Sequence, residues 1–217
     1  MIKAFLFDLD GTLVDTLGDI ASIMNGFLRS KGWPEHPTEA FRTMVGRGFA
    51  NLVRSATPAE ASADLERLYQ EAFVLYEAAG AGESRPYPGT IEALRSLSDA
   101  GAALAVVSNK PEPIAARVIG ALFPGLRFAL VRGGRDGQPF KPDPTGALEA
   151  ATACGVTPRE CAFVGDSDVD MRTAVAAGML PVGAAWGFRG EAELRDAGAV
   201  VIAASMADVP PLLGYSY

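Results

Sequence analysis

Apolar residues dominate positions 2–7, the run IKAFLF, and the polar stretch that follows sets Asp8 and Asp10 just ahead of Gly11. An apolar run without alternation predicts a strand covered on both faces, as in a parallel sheet, and ligands gather at the carboxyl ends of such strands. Extended chain repeats every two residues, so the side chains of Asp8 and Asp10 leave on one side and can converge on one reacting centre or metal. After residue 86, short β-rich runs over 102–108, 126–132, 161–165, 180–184 and 199–202 alternate with helical spacing. That alternation predicts an α/β, doubly wound parallel sheet. Thr157-Pro158-Arg159-Glu160 has the form of a capping box with proline at the first helical position, and Asp143-Pro144 marks another helix start.

Residues 16–85 follow a different period. Ile20, Ile23, Met24, Phe27 and Leu28 recur at helical spacing, as do Leu65, Leu68, Tyr69, Ala72, Phe73 and Tyr76. Thr16-Leu17-Gly18-Asp19 and Thr57-Pro58-Ala59-Glu60 precede the two helices with capping-box spacing. A helical domain over 16–85 is therefore expected to interrupt a core made of 1–15 and 86–217, returning through a Gly/Pro-containing hinge at 79–86.

The 217 residues suit a main domain with an insertion, and an apolar share of 49% is enough for a sizeable core. The net charge of −7 argues against nucleic-acid or anionic-membrane partners, which need basic surface. The apolar start is too short for a signal peptide and carries Lys3, while 173–188 falls below the about 20 residues of a spanning helix. A cytoplasmic location is the default expectation. Cys154 and Cys161 have no metal-ligand spacing and read as reduced core thiols.

The remaining chemistry lies at strand ends. The run 102–107 stops at Ser108-Asn109-Lys110, bringing a hydroxyl and an amide to the edge that carries Asp8, where a phosphate can be held. Lys141 is stiffened by neighbouring prolines in FKPDP, and the strand ending at Val164 runs into Gly165-Asp166-Ser167-Asp168-Val169-Asp170. Several carboxylates and a lysine around one point suit a hard divalent cation together with a phosphoryl group.

In this order, DLDGTLVDT, VVSN, the lysine of FKPDP and GDSDVD resemble the four motifs of the haloacid dehalogenase (HAD) superfamily of phosphohydrolases, over residues 8 to about 178. The resemblance implies a Rossmann-like core with a small helical cap inserted after the first strand, and a phosphoaspartyl mechanism. Asp8 would be the nucleophile and Asp10 the general acid and base. Ser108, Asn109 and Lys141 would hold the phosphoryl group, with Gly11 and Thr12 of the first motif beside it. Mg²⁺ would be bound by Asp8, Asp166 and the backbone carbonyl of Asp10, with Asp170 ordering the metal's surroundings or the lysine.

The position of the insert matches the cap of the phosphoglycolate phosphatase and β-phosphoglucomutase branch, and SNKP and GDSDVDMRTAVAAGM resemble the phosphatases of that branch. The expected reaction is hydrolysis of a small phosphorylated metabolite, phosphoglycolate first, by a monomer or homodimer. A sugar-phosphate mutase, a sugar phosphatase or a pyrophosphatase would use the same residues, and a non-enzymatic module of this fold is disfavoured by the presence of both aspartates. Dehalogenases and phosphonatases of the superfamily depart from this chain at Asp10. Gly46-Arg47-Gly48 is expected over the site, where Arg47 offers a donor fork to a substrate carboxylate; the alternative is an exposed arginine in a helix turn. Asp15 is expected to fix the turn into the insert, Asp168 and His36 to be solvated, and Trp33, Trp186 and the methionines to serve packing.

Overall fold

Phe5 and Phe7 face one side of the first strand and Ala4 and Leu6 the other, and all four are fully buried. In the computed structural model, which describes residues 1–79 and 82–215, this strand is the middle of a wholly parallel sheet. In chain order the elements are β1 (Ala4–Phe7), β2 (Val14–Asp15), α1 (Leu17–Ser30), α2 (Phe41–Met44), α3 (Phe49–Ala56), α4 (Leu65–Ala78) and β3 (Arg85–Pro86). There follow α5 (Thr90–Asp99), β4 (Ala103–Pro111), α6 (Glu112–Leu122), β5 (Leu130–Gly134), α7 (Thr145–Ala153) and β6 (Cys161–Gly165). The chain ends through α8 (Asp168–Ala177), β7 (Leu180–Ala184), α9 (Glu191–Asp196), β8 (Val201–Ala203) and α10 (Val209–Leu212).

The strand order β5-β4-β1-β6-β7-β8 gives the expected doubly wound sheet. The chain runs outward from β1 through β4 to β5, then returns to β6 on the other side of β1. The order reverses at β1, so the crevice beyond its carboxyl end is the place where such sheets bind ligands. Phe5, Phe7, Leu104, Val106, Ala162 and Val164 belong to one apolar cluster, while Leu6, Ala105, Val107 and Phe163 join Ala147, Ala150 and Ala174 of α7 and α8 in a second. Both faces are thus dry, which is why the strands read as unbroken apolar runs.

β2 and β3 pair antiparallel, Val14 with Pro86 and Asp15 with Arg85, so the helical segment leaves and rejoins the sheet at adjacent points. Its helices bury the expected faces, with Ile20, Met24, Phe27 and Leu28 inside on α1 and Leu68, Ala72 and Tyr76 on α4. Of the expected hinge, Gly80 and Ala81 lie outside the described residues.

Several local expectations need correction. Thr16 does not cap α1, because its hydroxyl donates to Asp10 instead (2.8 Å), and Asp19 accepts from Glu83 N, Ser84 N and the Ser84 hydroxyl. Those contacts tie the two ends of the insert together. Thr57 closes α3 through its N–H to Val53 O, and α4 begins only at Leu65, after a 3₁₀ turn. The Thr157–Glu160 box forms, but it caps a single 3₁₀ turn leading into β6. β4 continues past Ser108 to Pro111, with its register against β5 shifting after Val107. β5 starts at Leu130 rather than 126, since pairing with β4 begins at Ala105, and β8 at Val201, where pairing with Val182 of β7 begins. His36 is half-buried and braced, its Nε2 against Ala56 O (2.8 Å) and its backbone N–H on Asn25, so it ties insert segments together rather than standing in solvent.

Candidate active site

Asp8 follows the last residue of β1, and its N–H donates to Val164 O, extending the parallel ladder by one step. The turn after it is closed by Gly11 N to Val14 O and Val14 N to Leu9 O. Gly11 adopts φ +86°, and a Cβ there would lie 2.3 Å from an Asp166 carboxylate oxygen. Only glycine meets both demands. The turn thereby lets the ends of β1 and β6 approach closely, and Thr12 Oγ1 donates to Asp166 Oδ1 (3.1 Å).

Asp8, Asp166 and Asp170 each bring a carboxylate oxygen within 4.8 Å of the others, all buried. Lys141 Nζ lies 2.9 Å from Asp8 Oδ1 and 2.6 Å from Asp170 Oδ1. The contact with Asp8 lacks hydrogen-bond alignment, so Asp8 Oδ1 is a buried oxygen with a nearby charge and no directed donor. Asp170 Oδ2 accepts from the backbone and hydroxyl of Ser167, a capping box that also opens α8. Asp166 Oδ2 accepts from Phe188 N (2.7 Å).

Burial, with Asp170 and Asp10 nearby, pushes the Asp8 carboxyl up to about 6 against the pull of Lys141. Burial and the charges of Asp170 and Asp8 likewise push Asp166 well above the carboxylate range. Burial works to lower Lys141, but Asp170 and Asp8 outweigh it and hold the ammonium charged. One lysine among three buried carboxylates leaves negative charge uncompensated, and the donors are all hard oxygens. The group therefore fits a divalent cation.

Asp10 sits apart from that cluster. Its Oδ1 accepts from Thr16 Oγ1 and lies 2.9 Å from Lys110 Nζ, which also reaches Oδ2 at 3.2 Å. Lys110 hydrogen-bonds the Tyr76 hydroxyl as well, with its ammonium 4.9 Å from the ring centre. Asp8, Asp10, Ser108, Asn109 and Lys110 line a tight cleft, closed from the insert by Ile20, Val45, Gly46, Gly48, Phe49, Leu52 and Tyr76. Lys110 and Tyr76 carry no role in the sequence reading. Lys110 was visible only as part of SNKP, and nothing in the helical spacing of Tyr76 separates it from core positions.

Asn109 uses its side-chain amide to bracket the site: Nδ2 donates to Gly46 O and Lys141 O, and Oδ1 accepts from Lys141 N. Both amide hydrogens are committed in this structure, tying Gly46 and the Lys141 loop to β4. Gly11 and Thr12 lie against Asp166 and do not line the cleft. Arg47 differs from expectation as well. Its guanidinium pairs with both oxygens of Asp168 (3.1 and 2.9 Å) outside the cleft, which makes Asp168 a buried partner of the insert rather than a solvated charge. Trp186 does more than pack, since its Nε1 donates to Thr12 O. Asp15 accepts from Leu17 N at the entry to the insert, and burial pushes the Cys161 thiol up to about 12.

A family model described as haloacid dehalogenase-like hydrolase matches residues 2–178. The chain belongs to this family. It is 35% identical over 187 residues to the phosphoglycolate phosphatase of Xylella fastidiosa strain Temecula1, covering 86% of this chain and 82% of that one. The phosphoglycolate phosphatase of Pseudomonas putida KT2440 is 37% identical over 86% of this chain and 70% of its own. A crystal structure described as a predicted phosphoglycolate phosphatase from Haemophilus somnus superposes with a TM-score of 0.86 at 28% identity, over 98% of both chains. As a HAD-like hydrolase so similar to named phosphatases, the protein is a phosphoric monoester hydrolase. Among the described residues no helix is long and apolar enough to cross a membrane.

Proposed function

We propose that the protein is a Mg²⁺-dependent phosphatase that hydrolyses phosphoglycolate through a phosphoaspartyl intermediate on Asp8. The observation that carries this reading is the separation of two neighbouring aspartates onto different partners in one cleft. Asp8 lies against Lys141 in the carboxylate cluster, whereas Asp10 is held by Lys110 and Thr16. One oxygen is left free to attack while the other carboxyl handles protons.

In the first step an Asp8 oxygen forms a bond to phosphorus as the ester P–O bond breaks, and Asp10 gives its proton to the departing alkoxide. Asp10 then takes a proton from water, the water oxygen bonds to phosphorus, and the Asp8–phosphorus bond breaks to release inorganic phosphate. Lys141 offsets phosphoryl charge beside Asp8, and the Ser108 hydroxyl, in the later half of β4 where its register against β5 shifts, is a phosphate donor. Asp8, Asp166 and Asp170 would hold Mg²⁺, with the Asp10 carbonyl as the further ligand the family resemblance implies. When bound, the ion neutralises charge on the transferring group.

The helical segment 16–85 acts as a cap over the core 1–15 and 86–217. The narrow cleft and its apolar walls, Ile20, Val45, Phe49 and Leu52, favour a short substrate, and the named relatives point to phosphoglycolate. A cytoplasmic location belongs to the same proposal, because such charged metabolites do not cross membranes unaided. The test is phosphate release from phosphoglycolate, glucose 6-phosphate and pyrophosphate, with Mg²⁺ and with chelator. Highest kcat/KM on phosphoglycolate, lost with chelator, is the expected result. Preference for the sugar phosphate, or isomer formation without phosphate release, would overturn the substrate assignment. Chelator-resistant turnover would overturn the metal.

A further inference from the structure

Two buried lysines enter the cleft region, and the structure gives them different aspartates. Lys141 serves Asp8 and Asp170, while Lys110 spans both oxygens of Asp10 with a side chain only 3% exposed. An ammonium has three hydrogens to give. Those of Lys110 are used on Asp10 and on the hydroxyl of Tyr76, so the lysine is already engaged before any substrate arrives. Tyr76 comes from α4 of the cap and stacks on Phe49 of α3 with ring centres 5.0 Å apart. Both rings also line the cleft. A chain of contacts therefore runs from the cap's aromatic cluster through Lys110 to the carboxylate that moves protons.

Without Lys110, Asp10 would keep Thr16 as a partner and lose its neighbouring positive charge. Its carboxylate would then be free to turn toward Lys141 or a metal at the Asp8 cluster, away from the leaving group. We propose that Lys110 is a positioning residue for the acid–base step: it holds the Asp10 carboxylate apart from the metal cluster and aimed into the cleft, and its bond to Tyr76 makes that aim depend on the seated cap. This inference rests on the phosphatase reading of the same site. It is distinct from a role in gripping the substrate's carboxylate, which would show in KM for substrates that carry one.

The experiment compares wild type, Lys110→Met, Lys110→Arg and Tyr76→Phe on phosphoglycolate and on ethyl phosphate, an alkyl phosphate without the carboxylate. Misplacing a general acid and base forfeits part of their usual hundredfold or greater contribution. Lys110→Met should therefore lower kcat about 10- to 100-fold on both substrates, with KM changed by less than about twofold. Lys110→Arg should recover part of the loss, and Tyr76→Phe should lower kcat about threefold with an unchanged melting temperature. A KM increase confined to phosphoglycolate would make Lys110 a substrate anchor and overturn the inference. So would unchanged kcat in Lys110→Met, the outcome expected of a lysine that only fills space. Should Lys110→Met not fold, Tyr76→Phe decides, with unchanged kcat overturning the inference. Absence of phosphate release from wild type would instead refute the phosphatase reading itself.

Discussion

Removing divalent metal should make this protein less stable at neutral than at mildly acidic pH. Asp8, Asp166 and Asp170 are buried together with Lys141 as the cation between two of them. The Asp8 carboxyl is raised from 3.8 to about 6, with burial as the leading cause and Asp170 and Asp10 adding to it. The folded state then holds the Asp8 proton more tightly than the unfolded chain does. The resulting stabilisation is fully present below the unfolded value and lost as pH rises through the folded one. Between about pH 5 and about pH 7.5 the loss from Asp8 alone is on the order of 1 kcal/mol. For a protein of this size that is roughly 2–4 °C in Tm. Asp166, shifted in the same direction, adds to it. Thermal melts in chelator at the two pH values measure the effect, and Asp8→Asn should flatten it. Saturating Mg²⁺ should raise Tm more at the higher pH, because ligation requires deprotonated carboxylates. A metal-free protein that is as stable or more stable at the higher pH, or an equal Mg²⁺ shift at both, would refute the reasoning.

Asp166→Ala should raise the Mg²⁺ concentration for half-maximal activity at least about tenfold, as read by metal titration of phosphate release; an unchanged requirement would remove Asp166 from the metal site. The structure pairs Arg47, half-exposed, with Asp168, so on that pairing Arg47→Ala should lower kcat/KM equally, less than about fivefold, on phosphoglycolate and p-nitrophenyl phosphate. A loss confined to phosphoglycolate would place Arg47 on the substrate after all.

The sheet was legible because its strands are buried on both faces. Residues 161–165 stand out as an apolar run between Glu160 and Asp166, and 180–184 follow soon after the helix-ending Gly178; the structure returns both sets of limits unchanged. That Asp8, Asp166 and Lys141 lie close together was legible because each follows a strand or sits in a stiffened loop at one sheet edge. The contacts that local spacing did not reveal are those whose partners lie elsewhere in the fold. Thr16 has capping spacing, but Asp10 captured its hydroxyl; Arg47 has the right loop, but Asp168 is 121 residues away and offers a bidentate match. Local patterns report local competition, and these contacts are decided by tertiary proximity. Lys110 and Tyr76 were hidden for the same reason, since a lysine near the end of β4 and a tyrosine on the face of α4 meet only when the two segments pack together.

The nucleophile is the centre of the account, and phosphate release by Asp8→Asn tests it most directly. The amide keeps the size of the side chain but cannot form the acyl phosphate. With Mg²⁺ and phosphoglycolate, wild type should release phosphate. The variant, shown folded by an unchanged circular dichroism spectrum, should release none above background. Sustained turnover by folded Asp8→Asn would contradict the phosphoaspartyl mechanism.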